Sequence, residues 1–246
     1  MSGSLDAASS APVPTGSGPH LTSSTVHAGA PGAIARGMPL VLVLVSVLAG
    51  AAGCRPKEDL ITTEWRDDFD RTELGPAWRD TGGGYRIDRG RLAARGGHNH
   101  PVWLRKRLPA DVSIEVDAHP TSAEGDIKLE LFGDGVSFDP DRGGYVSTGY
   151  VLIFGGWHNT LSIICRGNEH DEGRKVTRAT PRVVADRTYH FWITRKAGLI
   201  DWKIDGQPFL AWQDPDPLGG AGHEYMAIDD WESEVFFDDL VIRALP

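Results

Sequence analysis

Short runs of β-forming residues, separated by glycine, proline, aspartate and asparagine, dominate the chain after Thr63. In the clearest run, Asp111–Ala118, apolar and polar residues alternate strictly. That is the period of a strand with one face against a core and the other towards solvent. No long helical period appears in this part of the sequence. About a dozen strands in one domain need two packed sheets, so we predict an all-β sandwich.

Two tight turns agree with this pattern. Asp88–Gly90 and Asp205–Gly206 each lie between two β-forming runs. Because aspartate and glycine tolerate positive φ, both segments are typical of β-hairpins. Further strands are predicted at residues 102–108, 126–132, 149–154, 161–166, 188–195, 224–228 and 234–243.

Several short motifs lie at the ends of these strands. In chain order they are Asp67–Arg71 with Leu74 and Trp78, Tyr189–Phe191 leading to Ile204–Gly206, Asp216–Leu218, and Phe237–Ile242. Together they resemble the concanavalin A-like lectin and glucanase superfamily, in particular uncharacterised bacterial lipoproteins of that superfamily and, more loosely, the 3-keto-disaccharide hydrolase domain. The resemblance spans Trp65–Leu245 and implies a two-sheet jelly-roll sandwich, with a carbohydrate or glycan as its partner.

An apolar run, Leu40–Leu48, is followed by small residues and then by Cys54. This order is typical of a bacterial lipoprotein signal, so we expect Cys54 to carry lipid and to anchor an exported protein in the cell envelope. The alternatives are an ordinary signal peptide or a retained membrane anchor. The run is short of the roughly 20 residues that a spanning helix needs.

The signal divides the chain into four segments. Residues 1–37 have almost no large apolar residue and are expected to be disordered, or to precede the true start at Met38. Residues 38–53 form the signal, 54–63 a tether and 64–246 the sandwich. The net charge of −9 makes a nucleic-acid partner unexpected. Cys165, the only cysteine besides Cys54, is expected to be a buried small hydrophobe.

One predicted strand carries candidate catalytic residues. Asp126, Lys128 and Glu130 alternate with apolar residues and should share one exposed face. A glycosidase uses a pair of carboxylates, which makes Asp126 and Glu130 the candidates if the chain is a glycoside hydrolase. The spacing Glu124-x-Asp126-x-x-x-Glu130 resembles the Glu-x-Asp-x-x-Glu stretch of laminarinase-like glucanases, with one residue too many. Lys128 should pair with a neighbouring carboxylate and lower its pKa, which favours a binding face over a general acid.

Aromatic and polar residues around the strand 149–154 are candidates for sugar recognition. An aromatic ring can pack on the apolar face of a pyranose while planar polar groups bind its hydroxyls. The preferred contacts are Trp157, His158, Arg166, Asn168 and Glu169, and the second choices are His100, Trp103 and Tyr150. The alternatives are that Asn159-Thr160 closes a hairpin, that Glu169–Glu172 is a charged loop, and that Trp103 packs in the core.

Two kinds of metal site can be formulated. The resemblance implies a structural calcium ion, and Asp68, Asp238 and Asp239 offer oxygen ligands on terminal strands that could pair. A zinc site would need His98, His100, His158 and His170 with Glu169, which lie in separate loops without a known ligand spacing. No other cofactor is expected.

The sequence therefore predicts an exported, lipid-anchored sandwich that binds a carbohydrate. A glycoside hydrolase that uses Asp126 and Glu130 is the first alternative, and a structural envelope lipoprotein that binds a protein is the second.

Overall fold

A computed structural model describes residues 58–138, 147–171, 173 and 175–246. The apolar run Leu40–Leu48, Cys54 and the segments 1–37 and 38–53 lie outside the described residues, as do residues 54–57 of the tether. Among the described residues, no helix has the length and apolar character needed to cross a membrane.

Within the described residues the chain forms fifteen strands and one four-residue helical turn. They are β1 (Glu64–Asp67), β2 (Trp78–Asp80), β3 (Arg86–Asp88), β4 (Arg91–Arg95), β5 (Val102–Leu104), β6 (Val112–Pro120), β7 (Ile127–Gly133), β8 (Tyr150–Gly155), α1 (Gly156–Asn159), β9 (Leu161–Arg166), β10 (Lys175–Arg178), β11 (Tyr189–Lys196), β12 (Leu199–Ile204), β13 (Gln207–Gln213), β14 (Tyr225–Asp230) and β15 (Glu234–Ala244).

The described strands form two sheets. One has the order β13-β12-β11-β6-β15-β4-β3, with β1 also paired to β15, and the other has the order β10-β9-β8-β7-β14-β5-β2. Non-consecutive strands are neighbours in both sheets, and the pairings between named strands are antiparallel. This confirms the predicted all-β, two-sheet jelly-roll sandwich.

The two predicted hairpins are confirmed. Arg89 and Gly90 have φ of 52° and 71°, and Asp205 and Gly206 have φ of 52° and 75°. Positive φ at both central residues matches the twist of the flanking strands. The strands β1, β2 and β10 were not predicted, because three or four residues are too few for alternation to show.

The sheet β10-β9-β8-β7-β14-β5-β2, called the seven-stranded sheet below, is covered on both faces. Its inner face contributes Leu129, Leu152 and Phe154 to the main core. Its outer face carries a second buried cluster, Val151, Ile153, Ile163 and Cys165, against which Trp157 and Leu161 pack. Cys165 is buried, as predicted, and burial raises the pKa of its thiol to about 12. The outer face is therefore not a simple solvent surface, and the candidate site lies on it.

Candidate functional site

A cleft of 560 Å³ opens on the outer face of the seven-stranded sheet. Ile127, the first residue of β7, pairs with Phe154 of β8 and with Asp230 of β14, so β7 begins where its two neighbours end. The cleft lies at this end of the sheet. Its described lining is His98, Asn99, His100, Glu124, Gly125, Asp126, Lys128, Phe138, Ile153, Trp157, His158, Glu169, His170, Trp231, Glu232 and Ser233.

A strained turn presents Trp157 and His158 to the cleft. These two residues and Asn159 have φ of 51°, 54° and 59°, so three consecutive residues with side chains are left-handed. This conformation costs roughly 1–2 kcal/mol per residue. The Asn159 amide fixes the turn, because its Nδ2 donates to Ala123 O at 2.9 Å and Val183 O at 2.8 Å while its Oδ1 accepts from Val183 N at 2.8 Å. The expectation that Asn159-Thr160 closes a hairpin is confirmed, and the same turn forms a wall of the cleft.

Asp126 immediately precedes β7 instead of lying within it. The predicted strand begins one residue later than expected, at Ile127, because Asp126 has a φ of 61°. Its backbone N–H donates to Gly155 O at 2.9 Å. A Cβ atom on Gly125 would lie 2.0 Å from the same oxygen, so only glycine fits beside Asp126. This close approach aims the Asp126 carboxylate into the cleft.

Lys128 forms the floor of the cleft. Its side chain is only 2 % exposed, and its ammonium lies 3.0 Å from Asp126 Oδ1 and 3.7 Å from Glu169 Oε2 and donates to Asn99 Oδ1. Burial by itself would lower the pKa of Lys128, but the carboxylates of Asp126, Asp229 and Glu169 outweigh burial and raise that pKa. Lys128 therefore keeps its charge, as the pairing inferred from sequence requires.

Glu130 does not line the cleft. Its Oε1 accepts hydrogen bonds from Thr148 N at 3.1 Å, Thr148 Oγ1 at 3.3 Å and Gly149 N at 3.0 Å. Lys128 and Glu130 share a face opposite the core, as expected, but that face is buried and not exposed. The reason is that side chains and backbone of remote segments, among them Asn99, Thr148 and Glu169, contact it.

The two sheets resemble those of known carbohydrate-active proteins. The exoplasmic/lumenal domain of VIP36, solved in a Ca²⁺/Man3GlcNAc-bound form, superposes with a TM-score of 0.54 at 10% identity over 70% of this chain and 85% of that one. A candidate glycosyl hydrolase from Parabacteroides distasonis gives 0.51 at 16% identity over 72% and 92%. The carbohydrate-binding module CBM66 from Bacillus subtilis gives 0.50 at 12% identity over 70% and 98%.

The chain has the concanavalin A-like fold. At these identities the likeness concerns the fold, and function has to be argued from the site. A family profile described as farnesoic acid O-methyl transferase matches residues 136–238, less than half of the chain. No curated protein matches the chain.

Five of the ten candidate sugar-binding and catalytic residues line the cleft of this concanavalin A-like domain, namely Trp157, His158, Glu169, His100 and Asp126. The remaining five, Glu130, Arg166, Asn168, Trp103 and Tyr150, have other partners. Trp103 is buried on the outer face, and its Nε1 donates to Ser137 O at 3.2 Å. It therefore forms no exposed platform.

Tyr150, Arg166 and Asn168 make their contacts outside the cleft lining. Tyr150 points into the core, where its hydroxyl donates to Asp214 Oδ2 at 2.7 Å and accepts from Leu218 N at 2.8 Å. Arg166 pairs with the same Asp214 carboxylate at 3.1 Å. Asn168 Oδ1 accepts from the backbone N–H of His170 at 2.9 Å, which fixes the loop that carries Glu169.

The wall opposite Trp157 was not predicted from sequence. β7 lies between β8 and β14, so Trp231, which follows β14, is on the other side of Lys128 from Trp157. The Trp231 ring is 38 % exposed, and His98 meets it edge-on at 4.9 Å between centroids. The one available signal was a large aromatic residue in the short segment between the predicted strands 224–228 and 234–243.

Asp230 holds the neighbouring wall, the segment 96–100. Its carboxylate accepts from Gly96 N and Gly97 N, each at 2.9 Å. A Cβ on Gly97 would lie 2.4 Å from Asp230 Oδ1, which explains the glycine. Burial raises the pKa of Asp230 to about 6, and burial raises the pKa of the adjacent, fully buried Asp229 well above its usual range.

The candidate metal ligands do not form a preformed cluster. The four histidines proposed for zinc line one cleft, yet among the described residues no group of three or more His, Cys, Asp or Glu is arranged to hold a metal ion. β1 and β15 pair as expected, but Asp68 Oδ1 accepts from Asp70 N and Asp238 Oδ1 from Asp239 N. The calcium site at Asp68, Asp238 and Asp239 stays a prediction from the resemblance.

Proposed function

We propose that this chain binds a carbohydrate in the cleft above Lys128, and that it does so as an exported protein anchored by lipid at Cys54. The observation that carries the binding proposal is a polar floor between two accessible indole rings, Trp157 and Trp231. Indole rings can pack on the apolar faces of pyranose rings, while Asp126 and Glu169 can accept hydrogen bonds from hydroxyls. The volume of 560 Å³ falls within the roughly 300–1,000 Å³ of small-molecule pockets.

The engagement of the carboxylates favours binding over hydrolysis. A glycosidase needs two carboxyl groups facing each other across the scissile bond. The Glu130 carboxylate accepts hydrogen bonds from the backbone of Thr148 and Gly149 and is not part of the described cleft lining. The Asp126 carboxylate is engaged in an ion pair with the Lys128 ammonium at 3.0 Å. The arrangement therefore supports a sugar-binding protein better than the hydrolase alternative.

A glycan array probed with the full chain, followed by titration calorimetry of the best ligand, tests the binding proposal. Trp157→Ala should weaken binding at least tenfold. Trp192→Ala is the control, because Trp192 is also accessible, at 39 % exposed, but lies on β11 of the other sheet. Unchanged binding by Trp157→Ala, an equal loss in both variants, or no binding to any glycan would refute the proposal.

The anchor has a separate test. The support for it is the apolar run that ends in small residues before Cys54. Metabolic labelling with palmitate in a bacterial host should label the wild type and leave Cys54→Ala unlabelled, with Cys165→Ala labelled as the control. Equal labelling of wild type and Cys54→Ala, or none of either, would contradict the anchor without touching the cleft.

A further inference from the structure

The charges that line the cleft are strongly unbalanced. The described lining contains four carboxylates, from Glu124, Asp126, Glu169 and Glu232, and one ammonium, from Lys128. With the histidines left out of the count, four negative charges against one positive give −3. A site of this sign attracts cations and repels uronic acids and sulfated sugars.

Glu169 is the most informative of these carboxylates. The residue is only 8 % exposed, and its Oε2 atom is buried without a hydrogen-bond partner among the described residues. The Lys128 ammonium stands 3.7 Å from that oxygen, beyond hydrogen-bond distance, and is also held by Asp126 and Asn99. A buried charged acceptor without a donor is costly, so a ligand that supplies an N–H at this place relieves the cost.

The aromatic walls favour the same kind of ligand. An ammonium group is attracted to the face of an indole ring. The Lys128 ammonium already lies 6.0 Å from the centroid of the Trp231 ring, so that ring is placed to receive positive charge. Trp157 contributes a second ring to the lining. Carboxylates beside indole rings form a site for a cationic group attached to a ring with an apolar face.

We propose that the saccharide bound here carries free, protonated amino groups, as in an oligomer of glucosamine. The inference rests on the proposed carbohydrate-binding function and narrows its ligand to one chemical class. Glu169 accepts a hydrogen bond from the ligand ammonium, and the exposed carboxylates of Glu124 and Glu232 add long-range attraction. Acetylation of the amine removes its positive charge, and with it the long-range attraction and the charge-assisted strength of the hydrogen bond to Glu169, without changing the sugar skeleton.

The test compares two ligands of one length by titration calorimetry at pH 7.0 with the full chain. The hexamer of glucosamine should bind at least tenfold more tightly than the hexamer of N-acetylglucosamine, and added NaCl should reduce that ratio. A trimethylated glucosamine hexamer keeps its charge at every pH but has no N–H for Glu169, so its affinity should lie between those of the other two hexamers. Equal affinities, or tighter binding of the acetylated hexamer, would overturn the inference and leave the proposed function standing.

Substitutions in the cleft test whether its carboxylates cause the preference for the hexamer with free amino groups. Glu169→Gln should reduce the ratio of the two affinities, while Glu73→Gln, the same charge change at an exposed residue outside the cleft lining, should not. Glu124→Gln with Glu232→Gln provides a second test at exposed positions, in case Glu169→Gln fails to fold. An unchanged ratio in both cleft variants would overturn the inference, as would an array on which only neutral or acidic glycans bind.

Discussion

Replacing Lys128 by methionine should destabilise the fold by about 3–5 kcal/mol at pH 7. Methionine preserves most of the side-chain volume but removes the buried ammonium between Asp126 at 3.0 Å and Glu169 at 3.7 Å. Breaking a buried ion pair by deleting one partner has this cost because the other charge remains buried and uncompensated. The polar contact with Asn99 is lost as well.

The penalty should depend on pH with a definite sign. In the wild type the neighbouring carboxylates raise the pKa of Lys128 in the native state. The native state therefore keeps a proton that the unfolded chain releases at alkaline pH, so the free energy of unfolding of the wild type falls as the pH rises past the ordinary pKa of lysine. The difference between the variant and the wild type should therefore be full at pH 7 and smaller at pH 11.

Urea unfolding followed by tryptophan fluorescence at both pH values measures these quantities. The control is Lys106→Met, since Lys106 pairs at the surface with Asp59, which is 85 % exposed, and should lose less than about 1 kcal/mol. The double variant Lys128→Met with Asp126→Asn should recover part of the loss. A loss below about 1 kcal/mol for Lys128→Met at pH 7, or an equal loss at both pH values, would refute the reasoning.

Three further predictions concern the scaffold of the cleft. Burial raises the pKa of Asp230 to about 6, so the contribution of this residue to the free energy of unfolding falls by up to about 3 kcal/mol as the pH rises from 4 to 6. In Asp230→Asn the midpoint of urea unfolding should therefore change less with pH over that range. An unchanged pH profile would count against this prediction. Asn159→Ala leaves three backbone groups without their partner and should cost about 2–4 kcal/mol in urea unfolding as well as weakening glycan binding; a loss under about 1 kcal/mol would show that the turn is held otherwise. The Cys165 thiol, whose pKa burial raises to about 12, should react with a disulfide reagent at pH 8 only after unfolding, and fast labelling of the native protein would contradict its burial.

Local chemistry made the fold predictable. The hairpins at Asp88–Gly90 and Asp205–Gly206 depend on residues that tolerate positive φ, and those residues are visible in the sequence. The parity of Lys128 and Glu130 also follows from alternation alone. Their burial does not, because it depends on how remote segments cross the outer face of the sheet. Alternation describes a strand with respect to one core, and here a second layer of contacts covers the other face.

The site was predictable only in part, for a similar reason. Trp157 and His158 lie in a glycine-flanked turn and attract attention in the sequence. That His100 and Glu169 meet them in one cleft is a property of strand order, which single-strand patterns do not contain. Asp230 lay between the predicted strands 224–228 and 234–243, where its role in holding Gly96 and Gly97 leaves no mark on periodicity.

A crystal structure of the full chain with its tightest-binding oligosaccharide is the most direct test of the cleft. Sugar rings should lie above Lys128 and contact the indoles of Trp157 and Trp231, with a ligand nitrogen within hydrogen-bond distance of Glu169. Sugar density confined to the outer face of the other sheet, for example around Trp192, would contradict the location of the site.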